Sequence, residues 1–175
     1  MDKRKIENIR VKKDITDTLL SLMHEKSFAK ITISEIIEKA NVARASFYRN
    51  YESKEDVLMT LVDDVLNDFK TKAEYDISNY YTYEHVLRCF QYFKKYEEYV
   101  LGLYEFGYGI RLLEKLNRFH EEITPAHLMT DVNKYRLYIF MGALFNTSVI
   151  WLKNGSKESA EDVAMVFCKE LCEVE

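Results

Sequence analysis

The chain has 175 residues, 47% of them hydrophobic, with one Pro and five Gly, which suits one compact helical core or two small ones. No apolar run approaches the ~18 residues of a membrane span, MDKRKIENIR lacks a signal peptide's apolar stretch, and three Cys make no disulfide framework, so the cytoplasm is the expected compartment. The net charge of −4 is uneven: residues 1–54 carry 12 Lys and Arg against 8 Asp and Glu, the remainder 13 against 21, an asymmetry expected of a basic nucleic-acid reader joined to a separate acidic half.

Residues 1–4 read as a basic arm, in which Lys3 and Arg4, with Lys5 after them, either touch phosphates or simply begin a solvated helix. A first helix is predicted from Lys5 to Lys26, with Ile15, Leu19, Leu22 and Met23 inward. Ser27, Phe28 and Ile31 bridge to a T-x-x-E capping box at Thr32 and Glu35. Ile33, Ile36, Ile37 and Ala40 then recur on one helical face, and Asn41 ends that helix in a left-handed turn. A second short helix runs from Ala43 or Arg44 to Tyr51. Phe47 and Tyr51 face inward with Val42, which leaves Arg44, Ala45, Ser46, Tyr48, Arg49 and Asn50 on or near the outside. Such a face suits a DNA major groove: small residues allow close approach, hydroxyls meet phosphates and Arg pairs with a guanine edge. Ser53 caps a long helix, with Glu55 and Asp56 in its first turn. Its apolar residues, from Val57 to Phe69, repeat through to about Tyr75.

The run I-T-I-S-E-I-I-E-K-A-N-V-A-R-A-S-F-Y-R-N-Y-E-S-K-E-D-V-L resembles the DNA-binding domain of the TetR/AcrR family of bacterial transcriptional regulators, over roughly residues 5–70. Two positions depart from that family's commonest pattern: Asn41 stands where Gly is usual, and Asn50-Tyr51 where His-Phe is usual. The resemblance implies an all-α fold of about nine helices. Residues 1–54 would form a three-helix helix-turn-helix DNA-binding domain, the helix 53–75 a linker, and residues 55–175 a helical effector-binding and dimerisation domain. It also implies roles: Arg44 and Ala45 at base edges, Ser46, Tyr48 and Lys54 on phosphates, Thr32 and Ser34 anchoring the preceding helix end, with Arg49 and Asn50 on the same face.

Beyond a polar, Tyr-rich border at Asp76–Thr82, helices are predicted at Tyr83–Lys95, Glu97–Tyr104 and Ile110–Glu122, the last broken by Thr124 and Pro125. Residues 133–153 are apolar almost all round and must be buried on several sides. Asn154-Gly155 stops that helix, and Ser159 with Asp162 begins the last. By resemblance the last two helices pair with their twofold mates, which makes Tyr138, Met141, Phe145, Ser148, Trp151, Val163 and Phe167 candidate dimer residues. The W-L-K-N-G segment is similar to the short C-terminal type that includes dihydroxyacetone kinase regulators. Buried Tyr hydroxyls need partners, so the many aromatics are either core or the lining of an amphipathic ligand site, with Tyr83, Phe90, Phe93, Tyr104, Phe119 and Tyr138 as candidates.

Catalytic signatures are absent from the sequence: there is no H-E-x-x-H, nucleophile elbow or Gly-rich phosphate loop. Glu121 and Glu122 beside His120 read as a solvated helix end. His24, His85, His120 and His127 show no metal-ligand spacing, Cys89 stands alone, and Cys168 and Cys172, four apart on the last helix, read either as buried inert thiols or as a thiol sensor. The expectation is therefore a homodimeric, ligand-responsive repressor that binds near-palindromic double-stranded DNA. It would take a small-molecule effector and use no cofactor, no metal, no catalytic residue and no membrane. The alternative is an all-helical small-ligand carrier or enzyme with a vestigial DNA-binding module.

Overall fold

The computed structural model describes residues 3–172, among which there are nine α-helices and no strand. The chain divides into two compact units, one ending at Val65 and the other beginning at Leu66.

In the first unit, α1 (Lys3–Glu25) leads through a tight 3-10 turn at Phe28–Lys30 to α2 (Ile33–Lys39), α3 (Arg44–Asn50) and the start of α4 (Lys54–Thr71). The predicted inward residues make its core. Ile15, Leu19, Leu22, Ile31, Ile36, Phe47, Val57 and Leu58 are all buried, and Phe28 and Tyr51 close it. Burying these side chains drives the unit together at about 1.5–3 kcal/mol each. Lys39 reaches Glu25 at 2.8 Å and ties α2 to α1. Helix α4 ends four residues before the predicted Tyr75. The chain after it is turned by Asp76, whose Oδ1 accepts from the Ser78 N–H (2.9 Å) and Oγ–H (2.7 Å), an arrangement that competes with helix.

The second unit contains α5 (Tyr83–Lys95), α6 (Glu97–Leu103), α7 (Gly109–Ile123), α8 (Asp131–Lys153) and α9 (Ala160–Leu171). A wide π-type turn over Tyr104–Tyr108 joins α6 to α7, and Gly107 supplies the positive φ of 79° that the kink requires. Helix α5 packs chiefly on α9, and α7 on α8. The predicted many-sided burial of α8 is found at Leu137, Phe140, Met141, Leu144, Phe145, Val149, Trp151 and Leu152.

Two sets of residues sit differently from expectation. Of the candidate dimer residues, Met141, Phe145, Ser148, Trp151 and Phe167 are buried within the chain's own core, and Tyr138 and Val163 are half-buried. The apolar surface these helices present is instead Tyr135, Ile139 and Ile150 on α8 with Met165 and Val166 on α9, each 49–69% exposed. The periodicity of α8 could not separate the two sets, because apolar residues occupy nearly every position.

The candidate ligand residues are engaged with other side chains or exposed. Phe90 packs edge-on against Trp151 and Phe167, each at 5.9 Å, and Phe93 lies 6.4 Å from Phe145. Phe119 meets Phe69 at 6.0 Å, Tyr83 and Tyr104 are exposed, and the Tyr138 hydroxyl donates to Glu121. A hollow of about 160 Å³ is lined by Tyr81, Arg136, Ile139, Phe140 and Leu171, none of them in that set. It is smaller than the ~300–1,000 Å³ of ordinary small-molecule sites.

Candidate nucleic-acid interface

The interface is built from the turn that separates α2 from α3. At the start of α2, the Thr32 hydroxyl accepts from the Glu35 N–H (3.2 Å) while the Glu35 carboxylate accepts from the Thr32 N–H (2.9 Å), a complete capping box. Lys26 pairs with the same carboxylate. These donors, Lys26 first, hold the Glu35 carboxyl down to about 2. At the other end Asn41 adopts φ 52°. The Val42 N–H returns to the Ile37 carbonyl (3.2 Å) and the Asn41 N–H to Glu38 (3.1 Å), which is the Schellman pattern of bonds. Asn thus fills the left-handed position in place of the commoner Gly.

Helix α3 follows with one side chain, Phe47, fully buried. Its ring anchors the helix against Tyr51 at 5.9 Å and carries Tyr48 edge-on at 5.4 Å. Tyr51 is buried beneath, and burial raises its hydroxyl's pKa despite a hydrogen bond with Thr16. The outward face comprises Arg44, Ala45, Tyr48 and Arg49, all exposed, with Ser46 half-buried at its edge. The Arg44 guanidinium lies 5.8 Å from the Tyr48 ring, so a cation and a phenol are presented together. Thr32 and Ser34 are exposed at the start of α2.

Two predicted contact residues are engaged by the protein itself. The Asn50 amide donates to the Ser46 carbonyl at 2.8 Å. Lys54 points its ammonium at the carbonyls of Phe28 (2.6 Å), Ile31 (2.7 Å) and Ala29 (3.3 Å), above the Phe28 ring at 4.5 Å. Desolvation lowers its pKa, opposed by Glu55 and Glu35. That position satisfies the carbonyls of a 3-10 turn, a tertiary role that sequence spacing does not reveal.

The sequence reading also missed a cluster in the second unit. His85 and Cys89, one turn apart on α5, meet His120 of α7, although the histidine spacings had suggested no ligand set. The i, i+4 pair was visible in the sequence, but the third member, 35 residues from His85, becomes a neighbour only through packing.

Among the described residues, no helix is long and apolar enough to cross a membrane. Residues 15–60 match the family model for bacterial regulatory proteins, tetR family. Over 55 residues the chain is 38% identical to an uncharacterized HTH-type transcriptional regulator, YxbF, of Bacillus subtilis (strain 168). That match spans 31% of this chain and 14% of the relative's length. Three solved structures share the fold at low identity. A TetR transcriptional regulator from Streptococcus agalactiae 2603V has a TM-score of 0.66 at 22% identity, covering 96% of this chain and 97% of that one. The dihydroxyacetone kinase operon activator DhaS scores 0.57 at 19% identity, covering 92% and 93%. The fatty acid degradation regulator FadR from Bacillus halodurans scores 0.60 at 16% identity, covering 92% and 94%. With a capped helix, a left-handed Asn turn and an exposed Arg–Tyr face inside the matched segment, residues 15–60 are a helix-turn-helix domain of the tetR type.

Proposed function

We propose that the chain works as a homodimeric, ligand-responsive repressor that sets two copies of α3 in successive major grooves of a near-palindromic operator. The observation that carries this is the face of α3: small, hydroxyl, aromatic and basic groups stand outward on a helix whose one buried residue is Phe47. In this reading Arg44 and Ala45 meet base edges, Ser46 and Tyr48 hold phosphates, Thr32 and Ser34 fix the α2 end, and Arg49 flanks the groove. Asn50 and Lys54 take part mainly by holding the module's shape, as their inward hydrogen bonds support.

Dimerisation supplies the second helix. The exposed stripe Tyr135, Ile139 and Ile150 recurs on one side of α8, and Gly142 within it has open space where a side chain would stand. Met165 and Val166 on α9 are exposed as well, and together these apolar side chains are the surface offered to a second copy. A twofold pair would space the α3 helices ~34–36 Å apart, one turn of DNA. An effector that favours one arrangement of the pair would shift its population, and coupling of ~1–3 kcal/mol suffices for a switch. Repression is the default sign of such a switch; DhaS, of similar fold, is an operon activator.

Fluorescence anisotropy on duplexes from the promoter beside the gene tests the reading. Binding to an inverted repeat should fall steeply with salt, as each neutralised phosphate releases counterions, and a scrambled duplex should bind far more weakly. Arg44→Ala should cost ~1–3 kcal/mol on the matched site and relax sequence choice, while Tyr48→Phe should weaken all duplexes alike. A carrier or enzyme with an unused module would show no specific duplex binding at any salt concentration.

A further inference from the structure

His85, Cys89 and His120 are buried in the second unit, and one ligand-type atom from each lies within 4.8 Å of the other two. The two imidazoles face one another, Nε2 to Nε2, at 3.0 Å. His120 donates its Nδ1–H to the Leu116 carbonyl at 2.9 Å, so in the neutral ring its Nε2 is a lone pair aimed at His85. His85 must then offer Nε2–H, which leaves its Nδ1 as an acceptor. That Nδ1 is buried and has no hydrogen-bond partner, an arrangement that costs free energy in a protein interior. The Tyr75 ring packs edge-on against His85 at 6.0 Å and carries a second buried, partnerless polar atom, its hydroxyl. Phe69 and Phe119 complete apolar walls around the pair. The cluster therefore holds an imidazole nitrogen and a phenol that no protein group satisfies.

We propose that His85, Cys89 and His120 form a buried transition-metal site for an ion of the Zn²⁺ class. A mixed nitrogen and sulfur donor set selects such ions over Mg²⁺ or Ca²⁺, which need oxygen. Around a tetrahedral ion with bonds of about 2.0–2.1 Å, adjacent nitrogens sit about 3.3 Å apart, so the observed 3.0 Å has only to open by a few tenths. The Leu116 carbonyl already plays the outer part, fixing the His120 tautomer and the ring's direction. Burial keeps both imidazoles in the neutral form that ligates, with His85 down to about 3 and His120 down to about 4. Burial also pushes the Cys89 thiol up, while the Arg88 guanidinium beside it favours the thiolate. On binding, the Cys89 S–H proton leaves to solvent as the sulfur–metal bond forms. The His85 proton passes from Nε2 to Nδ1, so one proton is released per ion. The site ties α5 to α7 whatever the first unit does, and it does not depend on the DNA-reading assignment.

Titration of the reduced, metal-stripped chain with Co²⁺ tests this without DNA. Saturation at one ion per chain is expected, with a thiolate-to-cobalt charge-transfer band and intense tetrahedral d–d bands, all displaced by one equivalent of Zn²⁺. Cys89→Ser should remove the charge-transfer band and weaken binding by more than the ~10–100-fold that outer-sphere changes cost. The Cys168→Ser/Cys172→Ser double variant should keep both the band and the affinity. X-ray absorption at the zinc edge of the unaltered chain, which needs no variant to fold, should show one sulfur near 2.3 Å with imidazole nitrogens near 2.0–2.1 Å. Absence of one-to-one binding, a shell with two sulfurs or none, or a band that survives Cys89→Ser would overturn the proposal.

Discussion

Single side chains in this protein show how one residue type serves opposite ends. Lys54 is placed by the family resemblance among residues expected to meet phosphates, yet its ammonium donates to the carbonyls of Phe28 and Ile31. Removing it would leave those acceptors short of a donor. Lys54→Met is therefore expected to lower unfolding stability by about 1–3 kcal/mol, measured by denaturant titration, while changing the salt slope of DNA binding little. A phosphate role would give the reverse: unchanged stability and a reduced slope. The histidine pair makes a second prediction. Burial depresses His85 to about 3 and His120 to about 4 from an ordinary 6.5. Between those values the unfolded chain binds protons that the folded chain refuses, so stability rises with pH there. It is fully present above about 6.5 and lost as pH falls through about 4 for His120 and about 3 for His85. Melting temperature should drop across that window in the metal-free chain, and His85→Gln should flatten the drop.

Helices were legible in the sequence where a polar residue marked an end. The capping boxes at Thr32 and Ser159, and the stops at Asn41 and Gly155, place α2, α9 and their neighbours within a residue or two of where they lie. Each works through local bonds that need no tertiary partner. The end of α4 was not legible, because Ala73 to Tyr75 carry nothing that forbids helix and the Asp76 turn decides the matter. Which α8 residues face the core was likewise hidden, since packing on α7 and α5, not periodicity, selects Met141 and Phe145 over Ile139. The candidate DNA-contact face on α3 follows from Phe47 and Tyr51 being four apart and is legible from that spacing alone. The cluster at His85 was hidden for the opposite reason: its third member comes from another helix. Asn41, at φ 52°, gives a test at this scale. Asn41→Gly should be neutral or slightly stabilising, whereas Asn41→Val should cost about 1–2 kcal/mol, read by thermal unfolding, because a β-branched side chain clashes in the left-handed region.

At the scale of the whole molecule, charge and apolar surface divide the work. Residues 1–54 carry an excess of basic side chains and the remainder an excess of acidic ones, which in the proposed reading would steer DNA to the basic part of the chain. The unpartnered apolar stripe lies on α8 and α9, beginning at Tyr135. An Ile139→Glu/Val166→Glu variant should keep its helical content yet shift to monomer in sedimentation, since it places charges on a surface proposed to be covered. Because a single short helix meets only half of a palindrome, operator affinity should fall with it. The most direct test of paired reading is the mass of the complex on one inverted-repeat duplex, measured by native mass spectrometry at low ionic strength. The account predicts two chains per duplex for the unaltered protein, and no stable complex for Ile139→Glu/Val166→Glu at the same concentration. One chain per duplex, or an equally stable complex formed by the monomeric variant, would contradict it.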